Sequence, residues 1–238
     1  ECCIWRAYDL NRQRSVLLKA VKSEAPPVFL LERLRHEFEI SNQLSHPNIL
    51  PYLDLLKHHH RVAVIMEDFG GIPMAEAIPE QGFPIGQFLD IALQLSSALA
   101  HMHKQNIVHK DFNTQSLLFN PETHQVKVAH FGMASKMTSE NPAYLRTLQL
   151  GDNLPYIAPE QTGRMNRVVD HRSDLYSLGV TFYELLCGQR PFTTNDPLAL
   201  LHAHITERPP LLSKIRGDIP HLFDELLAKL MAKQAEER

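Results

Sequence analysis

Apolar and polar positions along the first third of the chain repeat with two different periods. Ile4 to Tyr8 has strand character, a polar turn follows through Asp9 and Asn11, and Ser15 to Ala20 reads as the hairpin partner. Behind Pro26-Pro27 the spacing becomes helical. Leu31, Leu34, Phe38 and Ile40 share one broad face, while Arg33, Arg35 and Glu39 point elsewhere. His46-Pro47-Asn48 is expected to end that helix, because a residue that precedes proline disfavours helical geometry. Tyr52 to Leu56 and Val62 to Glu67 predict two more strands, so this part is a small sheet with one helix.

After Gly70-Gly71 the texture changes. Phe88 to His103 predicts a strong helix, with Ile91, Leu95, Ala98 and Met102 on one stripe. Leu117 to Phe119 and Val126 to Ala129 are short strands joined by an Asn120-Pro121 turn. Met133 to Pro155 is polar and irregular. Ser173 to Cys187 predicts a helix stopped by Gly188, and two later helices fit Pro197 to Thr206 and Ile219 to Ala232. A sheet-rich front followed by a helical back makes the chain α+β, in two lobes.

Composition adds exclusions. The chain has 238 residues, 44% hydrophobic and 21% charged, with a net charge of -3 and no strongly basic block. That balance is globular and points away from nucleic acid and lipid surfaces as partners. Cys2, Cys3 and Cys187 match neither a disulfide framework nor zinc spacing, which suits a reducing, cytoplasmic compartment. No apolar run approaches the ~18 residues that span a bilayer, so direct membrane insertion is not expected. Lys57-His58-His59-His60-Arg61 reads as a solvated loop between strands, since three adjacent imidazoles cannot all face one ion. The abrupt start at Glu1-Cys2-Cys3 and the stop at Glu237-Arg238 read as a domain truncated at both ends, 1–238, with 1–69 as small lobe and hinge and 70–238 as large lobe.

An ordered set of short motifs carries the chemistry. Lys19 ends the strand Val16-Leu17-Leu18-Lys19, and Glu37 lies 18 residues later on the following helix. Then come His46-Pro47-Asn48-Ile49, His109-Lys110-Asp111, His130-Phe131-Gly132, Ala158-Pro159-Glu160, and Asp174 ahead of Tyr176-Ser177-Leu178-Gly179. In this order and spacing the chain resembles the eukaryotic-type protein kinase superfamily over its whole length. The resemblance implies a bilobal fold with a small β-sheet lobe carrying one helix and a larger, mainly helical lobe. Met66 to Gly71, Ile107 to Asp111 and above all Pro159 to Arg167 are similar to a narrower group, the N-terminal Ser/Thr kinase-like domain of large bacterial and fungal hybrid sensor histidine kinases. That likeness implies a two-component signalling parent whose neighbouring domains would be this domain's partners, with a protein substrate as a further partner.

The resemblance also implies roles. Lys19 matches the lysine that holds nucleotide phosphates, and Glu37 the carboxylate that orients it; Glu39, about 200° around the helix, is the alternative that cannot share that direction. Asp111 matches the catalytic base. Ile4, Leu17 and Leu118 would sandwich the adenine of ATP, Met66 would border it, and the backbone of Glu67 and Phe69 would bond its edge; Leu17, where such kinases carry alanine, would crowd the pocket. Lys110 replaces the usual arginine, which argues against control by a phosphorylated loop. Asp174 would brace the catalytic loop, and Glu160 and Arg238 would form a structural ion pair.

Four departures converge on the metal and phosphate positions. His130 replaces a magnesium-binding aspartate, Ser116 an asparagine that holds a second ion, Asn113 a phosphate-steadying lysine, and Asn153 a threonine beside the base. Magnesium prefers hard oxygen donors, and an imidazole is a poor substitute. The expectation is a pseudokinase that keeps the fold, with ATP as candidate ligand and no proper magnesium site. A weakly active Ser/Thr kinase using Asp111, and a metal-independent nucleotide sensor using Lys19, stay open beside it.

Overall fold

β1 (Cys2–Asp9) and β2 (Arg14–Val21) form the expected hairpin, with Ile4 opposite Lys19. Its turn is built by Asp9, whose carboxylate accepts the backbone N–H groups of Asn11 and Arg12 at 2.9 and 3.0 Å. The structure, a computed structural model, describes residues 2–23, 26–59, 61–137, 154–164 and 167–238. β3 (Tyr52–His58) and β4 (Arg61–Glu67) complete a four-stranded antiparallel sheet in the order β1-β2-β4-β3. His58 ends β3 and His59 turns with a φ of 51°, so this part of the histidine run belongs to the hairpin connection; His60 lies outside the described residues.

α1 (Val28–Ser41) packs on this sheet through Leu34, Glu37, Ile40 and Ser41. The apolar stripe read from the sequence is therefore rotated: Leu31 and Phe38 are only half-buried, and a carboxylate occupies the centre of the buried face. The helix also ends earlier than expected, at Ser41. His46-Pro47-Asn48 has a different task. Backbone bonds from Leu50 to Val128 and from Val128 to Asn48, both 2.9 Å, add this segment to the second half of the chain. The Asn48 amide donates to Val126 O at 2.9 Å and to Gln94 Oε1 at 2.8 Å.

The second half centres on two helices. α2 (Met74–Ala77) is a single turn; α3 (Ile85–Lys104) buries Ile91, Leu95, Ala98 and Met102, the stripe predicted, together with Phe88 and Leu99. Four short ladder strands lie beside it: β5 (Ile72–Pro73), β6 (Ile107–Val108), β7 (Leu117–Phe119) and β8 (Val126–Val128). β5, β7 and β8 make one three-stranded sheet, and β6 pairs with β9 (Ser135–Lys136). Two-residue strands and one-turn helices carry no periodicity, so sequence reading missed β5, β6, β9 and α2. α4 (His171–Cys187) is buried on nearly all sides, as a central helix must be, and Asp170 caps it by accepting the Arg172 N–H at 2.8 Å. α5 (Pro197–Thr206) meets it near its start, at Tyr176, and α6 (Leu212–Ile215) and α7 (His221–Leu230) pack on it. α7 is shorter than the span read from Ile219 to Ala232, since Pro220 sits at its N-cap.

Close approach of backbones holds the end of α4. Gly188 caps the helix with a φ of 75°, and a Cβ there would lie 2.2 Å from the Glu80 carbonyl oxygen. At the other end of α4, Glu160 and Arg238 form a forked ion pair, Nη1 to Oε1 at 2.5 Å and Nη2 to Oε2 at 2.9 Å, with both side chains inaccessible and Ser173 Oγ donating to the same carboxylate. His204 of α5 is fully buried, with Nδ1 3.0 Å from the Tyr176 hydroxyl. Burial, reinforced by the nearby Lys233 ammonium, pushes its imidazole down to about 4.

Two outcomes follow from these contacts. Gly188→Ala combines a left-handed backbone with a clash against main chain, so the urea midpoint should fall by the equivalent of about 2 kcal/mol or more with the m-value unchanged. His204 binds its proton more weakly folded than unfolded, so the unfolded state takes up more protons between pH 6.5 and about 4. Stability should fall as pH drops through that window, by up to about 1.4 kcal/mol per pH unit from this group. Denaturant titrations across the window should show a shallower slope for His204→Gln.

Candidate active site

The site lies between the four-stranded sheet and the helical part. Directly opposed residues of an antiparallel pair project to the same side. Ile4 faces Lys19 across the hairpin, and Leu17, two residues along, faces Met66 on β4, so these four side chains share one face of the sheet. Leu17, Met66 and Leu118 are buried in a common core, whereas Ile4 remains 43% exposed at the rim. These residues form an apolar patch on one face of the sheet and in the core beneath it, with Leu17 buried among them.

Lys19 points from that face to α1. Its ammonium lies 2.8 Å from each oxygen of Glu37, and Glu37 is 2% exposed while Glu39 is exposed. Burial drives the Glu37 carboxyl upward, but the Lys19 charge and the hydrogen bonds from Lys19 and Tyr52 bring it below its ordinary range. The Tyr52 hydroxyl donates to Glu37 Oε1 in a short contact and accepts the His130 N–H at 3.2 Å. Sequence reading gave Tyr52 no role beyond its strand. A register shift between Tyr52 and Asp54 in β3 marks where the strand departs from regular pairing, beside the tyrosine that reaches α1.

Asp111, His109 and Lys110 sit on a loop held by Asp174. The Asp174 carboxylate, wholly buried, accepts the backbone N–H of His109 at 2.8 Å and of Lys110 at 2.9 Å, with His103 Nε2 at 2.9 Å. This grip keeps Lys110 at a φ of 64°, a conformation that costs a bulky residue about 1–3 kcal/mol. His109 is also buried, with Nε2 2.9 Å from Ala129 O, and its ring meets Phe131 edge-on at 5.4 Å; Phe131 in turn meets Tyr52 at 6.0 Å. A continuous aromatic column thus joins the two parts of the molecule. Burial raises the Asp111 carboxyl above its usual range, against the opposing pull of His109, Arg33 and Lys19 charges and of an Asn113 hydrogen bond.

The departures from the kinase pattern have definite structures. Asn113 Nδ2 donates to Asp111 Oδ1 at 2.6 Å, and its Oδ1 accepts the N–H groups of Gln115 and Ser116. Ser116 Oγ donates to Asn113 O at 2.9 Å and accepts Asn113 N–H at 3.0 Å. The loop from 111 to 116 is therefore closed on itself, and the serine hydroxyl is engaged twice within it. His130 has a φ of 64°, which histidine, like aspartate and asparagine, tolerates better than most side chains. Burial, then the Lys19 charge, push its imidazole down to about 3, so it is neutral near pH 7. Among the described residues no cluster of three or more His, Cys, Asp or Glu side chains could hold a metal. This donor set does not fit magnesium: one neutral ring and one hydroxyl already turned inward stand where hard anionic oxygens are needed.

At the hinge, Glu67 is bound by Lys127 Nζ at 2.6 Å, and the same ammonium lies 5.2 Å above the Phe69 ring. The Phe69 carbonyl accepts the Asn120 amide at 2.6 Å. These contacts were not legible in the sequence. Nor was Arg33, which lies not on an idle helix face but against Gly132; its spacing of four from Glu37 was the available signal. Asn153, Thr138, Ser139, Tyr144 and Thr147 lie outside the described residues, as do Met165 and Asn166 of the long motif. A separate cavity of 440 Å³, lined by Tyr183, Leu212, Asp224, Leu227 and Lys233 among others, contains none of these groups.

Comparison with known proteins agrees with this geometry. Residues 2–238 match the protein kinase domain family. A probable serine/threonine-protein kinase of Clostridium perfringens is 30% identical over 237 residues, covering 99% of this chain and 34% of that protein. The serine/threonine-protein kinase PrkC of Bacillus subtilis is 28% identical over 238 residues, covering 99% and 36%, and PknE of Mycobacterium tuberculosis 31% over 242, covering 99% and 41%. The chain thus spans between a third and about two fifths of the length of these relatives. With a sheet-rich front, a helical back, a Lys19–Glu37 pair and an Asp174-braced loop, the chain belongs to the protein kinase domain family.

Proposed function

We propose that this domain is a signalling module of the pseudokinase type, with impaired magnesium-dependent phosphoryl transfer, that regulates a larger multidomain protein through contact with its neighbours. The observation that carries this reading is the self-closed loop from Asp111 to Ser116, beside a neutral His130. Loss of one preorganised electrostatic group commonly costs about 10²–10³ in rate, and here both metal anchors are replaced. The likeness of Pro159 to Arg167 to kinase-like domains of hybrid sensor histidine kinases supports a two-component parent. Free Cys2, Cys3 and Cys187 suit a cytoplasmic setting, and among the described residues no helix is long and apolar enough to cross a membrane.

ATP fits better than magnesium. In this reading Ile4, Leu17 and Leu118 enclose the base, Met66 borders it, the Glu67–Phe69 backbone meets its edge, and Lys19, oriented by Glu37, faces the phosphates. ATP would supply both a phosphate-rich ligand and, in a competent enzyme, the group transferred. A second reading, a weakly active Ser/Thr kinase, is favoured by one feature: Asp111 survives, half-buried, with its proton affinity raised toward that of a useful base. It would then accept the proton of a substrate hydroxyl.

Phosphate transfer from labelled ATP separates the two. No incorporation above that of Asp111→Asn is expected; Asp111-dependent, magnesium-dependent incorporation would replace the first reading with the second. Asn113 and Ser116 are each other's partners, so restoring a metal site needs three changes together. His130→Asp, Ser116→Asn and Asn113→Lys combined should gain a magnesium-dependent thermal shift with ATP. His130→Asp with Ser116→Asn alone should gain less, because Asn113 then loses its hydroxyl partner.

A further inference from the structure

Arg33 stands one turn before Glu37 on α1, and residues four apart share a helix face. Its half-buried side chain lies along Gly132. A Cβ on that glycine would meet Arg33 Nε at 2.6 Å, Cγ at 3.0 Å and Cδ at 3.4 Å, so the position must stay bare for the arginine to lie there. This places the guanidinium at the edge of the cleft bounded by Asp111 and His130. Its charge bears on both: it opposes the upward shift of Asp111 and helps keep His130 unprotonated.

The charge balance of the cleft gives this placement meaning. Lys19 is already held by both oxygens of Glu37, and Asp111 contributes a further carboxylate. Among the described residues, none makes a hydrogen bond or ion pair with the Arg33 guanidinium. A polyphosphate entering here meets no site fit for a divalent ion, and an unbalanced polyanion in a partly buried cleft is unfavourable. A guanidinium is suited to the deficit. It stays charged, is weakly hydrated, and offers a planar fork of donors matched to phosphate oxygens.

We propose that Arg33 takes over the counter-ion role of the metal, so that this cleft holds the terminal phosphates of a nucleoside polyphosphate between the Arg33 guanidinium and the Lys19 ammonium without a divalent cation. This rests on the reading above that the nucleotide frame persists while the metal site does not. The closed Asn113–Ser116 loop and the bare Gly132 then have a shared consequence: the first withholds metal ligands, and the second admits the arginine.

The test is titration of the protein with a fluorescent methylanthraniloyl-ATP in EDTA, and again with excess magnesium. Binding in EDTA is expected, with no gain from magnesium. Arg33→Gln should weaken ATP by about 10-fold or more, the size of a lost charge-assisted hydrogen bond, while leaving AMP affinity unchanged. Gly132→Ala keeps every charge but displaces a flexible side chain, so it should reproduce the selective loss and guards against an unfolded Arg33→Gln. Inorganic tripolyphosphate should compete in EDTA. Equal ATP affinity in both variants and the wild type overturns the proposal, as does a wild type that binds ATP only with magnesium or not at all. Phosphate transfer that persists in EDTA, together with Arg33-dependent binding there, would overturn the pseudokinase reading and leave this one standing.

Discussion

The Glu37 carboxylate is the point on which the cleft depends. It accepts Lys19 from the sheet through both oxygens and the Tyr52 hydroxyl from β3, and the same hydroxyl accepts the backbone N–H of His130. Sheet, helix and the His130-Phe131-Gly132 segment are thereby tied to one buried anion. Removing one partner of such a buried pair leaves an uncompensated charge, at a cost of about 3–5 kcal/mol. Tyr52 adds a second link, because its ring also starts the aromatic column through Phe131 to His109. Beyond His109, Asp174 carries the connection into α4 through the backbone of the Asp111 loop.

Against this intact frame, the altered positions show how a cleft can be stable without a metal. A kinase loop that presents an asparagine and a lysine to ligand leaves polar groups waiting for partners. Here Asn113 and Ser116 satisfy one another, and a neutral His130 stands where a carboxylate would add negative charge, so the cleft carries one anionic group fewer in need of a cation. Buried polar groups are costly when unpaired, and the Asn113 and Ser116 groups are paired locally. The same pairing that makes the loop self-sufficient removes its oxygen donors from the cleft.

The motif residues were legible because kinases place them at fixed separations along the chain. Lys19, Glu37, Glu160 and Asp174 have the structural partners expected of them: Glu37 for Lys19, Asp174 for the 109–110 backbone, Arg238 for Glu160. The central helices were legible because Ile91, Leu95, Ala98 and Met102 repeat with the period of a helix. Tyr52, Lys127 and Asn120 were not, because each acts on a residue more than a dozen positions away and none interrupts a local pattern. The rotation of α1 was misread for a related reason. Hydrophobicity locates a buried face by its apolar residues, and here the centre of that face is a glutamate made tolerable only by a lysine from another element.

By itself the sequence determined the class of fold, the order of its elements and the identity of the residues at the motif positions, since these depend on residue type, local periodicity and spacing. The tertiary structure decided the rest. Whether Ser116 offers its hydroxyl to an ion or to Asn113, whether His130 is charged, and whether Arg33 faces solvent or the cleft are set by which groups folding brings within hydrogen-bonding and Coulombic range. Those distances are properties of packing between distant segments, and no local pattern in the chain encodes them.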